Sequence, residues 1–350
     1  MTTTMTQDIP PDLKQIQTDI VDAAERLRGI AVRTPLLDCP VALTGGLGRV
    51  LIKAEVLQHT GSFKFRGAYN FISQLDNDIR SRGIVAFSSG NHAQAVAAVS
   101  KMFDTRATIV MPADAPRLKI EATRDYGANV VLYDRRSESR EDIAAALVND
   151  LGATLVPPYD HRMTIAGQGT VGLEIMEDLA LRNLNPDIVL VPCSGGGLVA
   201  GSATAIKHGA PDAAIYAVEP EGYDDTTRSL RSSQLEQVDG LTPSICDALL
   251  VQKPGDITFS INRQLLAGGL VVTDAMARTA MAAAFRHLKL VVEPGGAVAL
   301  AAVLNNLIEM TDKTIIVVCS GGNVDPDTFT KALNGPSTEA LNGPRGRSKI

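Results

Sequence analysis

Short apolar runs alternate with helix-period segments along most of this chain, and glycine-rich turns sit between them. Residues 50–54, 84–87, 108–111, 129–133 and 154–156 read as strands, as do 188–191, 215–218 and 314–319. Segments 91–102, 119–126 and 138–151 carry helical patterns. The strands are apolar throughout instead of alternating in polarity. Such strands must be covered on both faces, which a parallel sheet between two layers of helices provides. The pattern predicts an α/β fold of parallel sheets flanked by helices. Ligands bind such folds beyond the carboxyl ends of the strands. Each glycine-rich turn follows a strand, where that rule places a site.

A chain of 350 residues suits two domains better than one core. It has no tryptophan and few other aromatics, so its interior is mainly aliphatic. A net charge of −6 argues against nucleic acid as a partner. No apolar run approaches the ~18 residues of a membrane span. The first 14 residues are polar and contain no signal-peptide core. Cys39, Cys193, Cys246 and Cys319 are scattered without metal-site or disulfide spacing. They read as small buried hydrophobes in a reducing cytoplasm.

The stretch Ser62-Phe63-Lys64-Phe65-Arg66-Gly67 puts a lysine between two aromatic rings at the start of a predicted helix, 65–75. Burial among apolar groups disfavours an ammonium and lowers its pKa. The neutral amine can attack a carbonyl and form a Schiff base. Taken alone, the stretch equally fits a lysine snorkelling to water over Phe63 and Phe65. Three further motifs accompany it: Ser88-Ser89-Gly90-Asn91-His92, Ser194-Gly195-Gly196-Gly197-Leu198 and Ser320-Gly321-Gly322-Asn323. The second opens a helix after a strand, so its backbone N–H groups and the helix dipole can cradle an anion. It lacks both the Walker lysine and the dinucleotide glycine spacing, so neither ATP nor NAD is its natural occupant.

At these four motifs the chain resembles the fold-type II pyridoxal-phosphate (PLP) enzymes, which are tryptophan synthase β-like. It is most similar there to the serine/threonine dehydratase and serine racemase branch, from about residue 20 to about 333. The resemblance implies a discontinuous large domain, 1–81 and 159–333, and a small domain, 82–158, with PLP in the cleft between them. It implies no regulatory domain after the catalytic core, and 334–350 read as a disordered tail. Relatives are often dimers, so a homodimer is expected.

The resemblance assigns Lys64 as the Schiff-base lysine and the base that takes the substrate Cα proton, with Phe63 against one face of the cofactor ring. Ser194, Gly195, Gly196, Gly197 and Leu198 would hold the phosphate, and Asn91 the 3′-hydroxyl. Ser320 would face the pyridine nitrogen, leaving it unprotonated, a weaker electron sink that suits β-elimination. Glu293 would line the ring on that side, or else cap the helix that follows it. Ser88, Ser89, Asn91, His92 and Gln94 would seat the substrate carboxylate, His92 in a structural role. Ser89 stands where many dehydratases have alanine and racemases have a proton-returning serine, so inversion at Cα is chemically available. Arg140 resembles a small-domain arginine near the cleft, and a helix salt bridge explains it equally well.

Glu219, Tyr223 and Asp225 resemble a divalent-cation site of two carboxylates and a backbone carbonyl, suited to Mg²⁺ or Ca²⁺. Tyr223 replaces the usual alanine, and a solvated acidic turn is the competing reading. The implied activity is that of an L-serine/L-threonine ammonia-lyase acting on a small amino acid. A serine racemase with dehydratase side activity and a hydroxyaspartate dehydratase are the alternatives. A ligand sensor that kept the fold and lost the chemistry would not need Lys64, Asn91 and Ser320 together.

Overall fold

The computed structural model describes residues 12–335. The tail expected over 334–350 therefore lies outside the described residues from 336 onward. Ten strands form two sheets. They are β1 (Leu36–Asp38), β2 (Arg49–Ala54), β3 (Ile84–Phe87), β4 (Ala107–Pro112) and β5 (Asn129–Tyr133), then β6 (Thr154–Leu155), β7 (Ile188–Pro192), β8 (Ala214–Pro220), β9 (Gly268–Val272) and β10 (Thr314–Cys319). The larger sheet runs β1-β2-β10-β7-β8-β9 and the smaller runs β5-β4-β3-β6.

Both sheets are parallel except at one edge, where β1 pairs antiparallel with β2. That strand departs from the expected all-parallel arrangement for a local reason. It is only three residues long and grades from buried Leu36 to exposed Asp38. A strand with one wet face can return beside its neighbour through a short connection, with no crossover helix.

The central strands are buried on both faces. Every residue of β7 is buried, and β10 is buried from Ile315 to Cys319. The helix Pro294–Leu304 has the sequence PGGAVALAAVL and is buried through Val303. An all-apolar helix belongs inside. This one packs on β10, β7 and β8 and delivers Glu293 at its N-terminus. The helix predicted over 65–75 spans Lys64–Ile72, and that predicted over 138–151 spans Arg140–Leu151 with Ser139 as its N-cap. Cys39, Cys193, Cys246 and Cys319 are all free thiols, and only Cys39 is partly exposed. Among the described residues, no helix is long and apolar enough to cross a membrane.

Candidate active site

Three chain segments converge at the carboxyl end of β10. Ser62 forms an isolated bridge with Gly321, and the Phe63 N–H donates to the Ser320 carbonyl at 3.1 Å. The Gly322 N–H donates to the Gly61 carbonyl at 2.9 Å. These bonds fix the lysine segment beside the Ser320 turn. The Asn323 amide donates to Asn91 Oδ1 at 2.9 Å, which brings in the third segment.

Lys64 stands at the start of its helix, with its ammonium 5.2 Å from the centroid of the Phe63 ring. It donates to the Pro158 carbonyl at 2.7 Å. Burial pulls its pKa down to about 8, so far more of it is neutral amine near neutrality than of an ordinary lysine. A snorkelling lysine would keep its ordinary value.

The glycine turn follows β7 and opens the helix Gly197–Gly209. Gly196 is its N-cap with φ 91°, a left-handed conformation that glycine adopts without Cβ strain. The Tyr159 ring packs over Gly195. The Ser194 hydroxyl is buried without a hydrogen-bond partner. An unpartnered donor among convergent N–H groups at a helix N-terminus is what a bound phosphate would satisfy.

The loop after β3 carries Ser88, whose Oγ accepts from the Gly90 N–H at 3.0 Å. Ser89 Oγ donates to the Asp247 carbonyl at 3.3 Å. Asn91 opens the helix Asn91–Met102, and its Nδ2 donates to Glu293 Oε1. His92 Nε2 bonds the Val156 carbonyl at 2.9 Å. Burial, aided by the Lys64 charge, drops the His92 pKa to about 3, so the ring is uncharged near neutrality. Glu293 makes no capping bond to its own helix. It accepts from Lys119 Nζ at 2.8 Å instead. Burial lifts its carboxyl above the ordinary range, and Lys119 opposes the rise.

One cleft is lined by Phe63, Lys64, Ser88, Ser89, Asn91, His92, Arg140, Ser194, Gly195, Gly196, Gly197, Leu198, Glu293 and Ser320. Gln94 is not among its lining residues: it sits buried one turn into its helix. Arg140 stacks on the Phe87 ring at 5.1 Å and bonds Glu141 at 2.7 Å, so its neighbours are an aromatic face and an adjacent side chain instead of a partner one helical turn away.

The carboxylate pair lies apart from the cleft. Glu219 accepts from the N–H groups of Thr226 (2.9 Å) and Thr227 (2.7 Å) and from the Thr227 hydroxyl (2.6 Å). Asp225 is fully buried with both oxygens unpartnered. The solvated-turn reading does not describe these two residues. Tyr223 turns its phenol away to the Gly240 carbonyl at 3.0 Å. Among the described residues, no group of three or more His, Cys, Asp or Glu side chains is arranged to hold a metal.

Tyr159, Asp247 and Lys119 were not foreseen. The turn Pro157-Pro158-Tyr159 offered a signal, since a double proline ends an element and exposes the next side chain. Lys119 reads in sequence as an ordinary helix lysine.

Residues 27–321 match the family described as pyridoxal-phosphate dependent enzymes. The chain belongs to that family. It is 42% identical over 318 residues to an L-threo-3-hydroxyaspartate ammonia-lyase of a Pseudomonas species, covering 91% of this chain and 98% of that one. It is 38% identical over 317 residues to a serine racemase of Schizosaccharomyces pombe, covering 90% and 96%. The crystal structure of a threonine deaminase from T.th. superimposes with a TM-score of 0.82 at 40% identity, covering 88% and 98%. The expected PLP dependence and α/β fold of parallel sheets flanked by helices are thus those of the family.

Proposed function

We propose that this protein is a PLP-dependent ammonia-lyase that removes water from an L-β-hydroxy amino acid, giving a 2-oxo acid and ammonia. The observation that carries the reading is Lys64, a lowered-pKa amine in a cleft that also holds the glycine turn and Ser320. The residues fit the cofactor. Lys64 would carry it, the 194–198 turn with its unpartnered serine hydroxyl would hold the phosphate, and Asn91 would meet the ring hydroxyl. PLP, when bound, supplies the electron sink that acidifies the substrate Cα–H bond. Lys64 takes the Cα proton, and the electron pair left at Cα forms the Cα–Cβ double bond as the Cβ–O bond breaks. The proton held by Lys64 passes to the departing hydroxyl, which leaves as water. The released enamine tautomerises and hydrolyses to ammonia and the 2-oxo acid. The Ser88–Asn91 loop at its helix N-terminus binds the α-carboxylate. Residues 82–158, which carry the smaller sheet, would close over the substrate as a domain.

Ser89 in the same loop supports a second outcome, proton return to the other face of Cα and hence racemisation. Arg140 favours a substrate with a second carboxylate. Arg140 lines the cleft, and its ion-pair partner, the adjacent Glu141, is a more exposed side chain that a substrate carboxylate can replace. The unpartnered Asp225 beside Glu219 supports a Mg²⁺ or Ca²⁺ site there, since oxygen ligands suit both ions.

The test incubates PLP-loaded protein with L-serine, L-threonine and L-threo-3-hydroxyaspartate and measures 2-oxo acid and D-isomer together. Excess 2-oxo acid is expected, with the dicarboxylic substrate preferred and the preference lost in Arg140→Gln. A D-isomer that forms first would replace the lyase reading with a racemase.

A further inference from the structure

The proposed chemistry gives Lys119 no task, yet its side chain is 1% exposed and its ammonium is paired with Glu293, which lines the cleft. Lys119 belongs to the helix Arg117–Asp125, within the segment that carries the smaller sheet. It passes directly against Gly90 of the substrate loop: a Cβ on Gly90 would stand 2.2 Å from Lys119 Cδ. The ammonium ends between two carboxylates contributed by the larger sheet's part of the chain. It lies 2.8 Å from Glu293 Oε2 and 2.7 Å from Asp247 Oδ2.

The loop is tied to the same two residues. Asn91 donates to the other oxygen of Glu293, and Ser89 donates to the carbonyl of Asp247. Lys119 is therefore the cation between the two residues on which Ser89 and Asn91 rest. Removing one partner of a buried ion pair leaves an uncompensated charge, and the remaining groups move toward water or protonate. Here the remaining groups are the supports of the loop.

We propose that Lys119 is a positioning residue: bridging Glu293 and Asp247 behind the cleft lining, it locks the Ser88–Asn91 loop onto the Glu293 side so that Ser89 and Asn91 are held together. Docking of the smaller sheet's segment and ordering of the loop are then one event, because the carboxylates that neutralise Lys119 come from the larger sheet's part of the chain. The kinetic consequence rests on the lyase reading; the ordering of the loop does not.

The experiment compares the holoenzyme with Lys119→Met and Lys119→Arg, reading kcat, KM, bound-cofactor absorbance and amide deuterium uptake. Lys119→Met should keep the cofactor, take up deuterium faster over residues 88–95 and leave residues 162–181 unchanged. Its kcat should fall about 100-fold, as for misplacement by about 1 Å, with a raised KM, and Lys119→Arg should recover part of both. A loop uptake equal to wild type overturns the proposal, whatever happens to activity. Kinetics within about twofold of wild type also overturn it, because that is far below the loss expected from misplacement. Should Lys119→Met fail to fold, Asp247→Asn keeps the pair with Glu293 and serves instead. Faster uptake over 88–95 supports the lock, and unchanged uptake overturns it. If no tested substrate turns over, uptake alone decides, and only the lyase reading fails.

Discussion

Gly196→Ala tests the phosphate cradle at a point where the structure sets the magnitude. Gly196 has φ 91° and ψ −5°, where an L-residue is strained by about 1–2 kcal/mol. The new Cβ would stand 2.8 Å from Asn262 Nδ2, 3.0 Å from Thr258 Oγ1 and 3.1 Å from Thr258 Cβ. Thr258 cannot yield freely, because its hydroxyl donates to the Gly195 carbonyl at 2.6 Å. Asn262 is fully buried. Overpacking of this kind costs about 1–3 kcal/mol, and the stiffer unfolded chain returns about 0.4–1 kcal/mol. A net cost of about 1–5 kcal/mol remains, from the terms just given. If the turn relaxes to relieve it, the anion seat distorts, and each ~1.4 kcal/mol is a factor of ten in affinity. Titration of the apo-protein with PLP should therefore show binding weakened by about 10–10³-fold. Gly209→Ala, at the other end of the same helix, is the control. Its Cβ meets only Met176 Cε, the far end of a flexible side chain, at 3.1 Å, and it should bind PLP normally. If Gly196→Ala bound PLP as tightly as wild type and melted within about 2 °C of it, the cradle argument would be wrong.

Lys64→Ala should abolish turnover while the melting temperature and circular dichroism stay near wild type, and borohydride should label Lys64 in the parent protein; a label on another lysine would refute its role. Ser89→Ala should remove any D-isomer formation while elimination from the L-substrate continues; equal loss of both would assign Ser89 another role. In cation-free protein, burial raises Glu219 to about 7 and Asp225 to about 8, the latter helped by the Glu219 charge. Folding then takes up protons between the ordinary carboxyl range and about 8, so stability falls as pH rises through that window. Excess Mg²⁺ or Ca²⁺, which needs the charged carboxylates, should flatten that fall in a thermal melt; identical melts with chelator and with cation across the window would refute a cation site.

Much of this protein is legible in its sequence because the signals are local. β3, β5, β10 and the helix Asn91–Met102 have the bounds that their apolar runs and periodicity predict. Turn chemistry and strand composition act over a few residues, and the strand-end rule then places the glycine turns at one side of the fold. The antiparallel β1 was not legible, because nothing in three residues distinguishes an edge strand from a loop. Nor was the absence of Gln94 from the cleft lining, since it lies one turn further along the helix than Asn91, buried in the interior.

The sequence by itself determined the motifs, the lysine and the glycine turns, and thereby the family. Tertiary structure decided which of them meet. Strand order carries β2 next to β10 and β10 next to β7, and so places Lys64, Ser320 and the 194–198 turn around one cleft. It decided that Lys64 is hemmed in and loses its ordinary pKa, since desolvation depends on what surrounds the ammonium and not on its chain neighbours. It also decided that Lys119 is no surface lysine, because its two carboxylates come from remote parts of the chain and only the packing of one sheet's unit against the other brings them within hydrogen-bond reach.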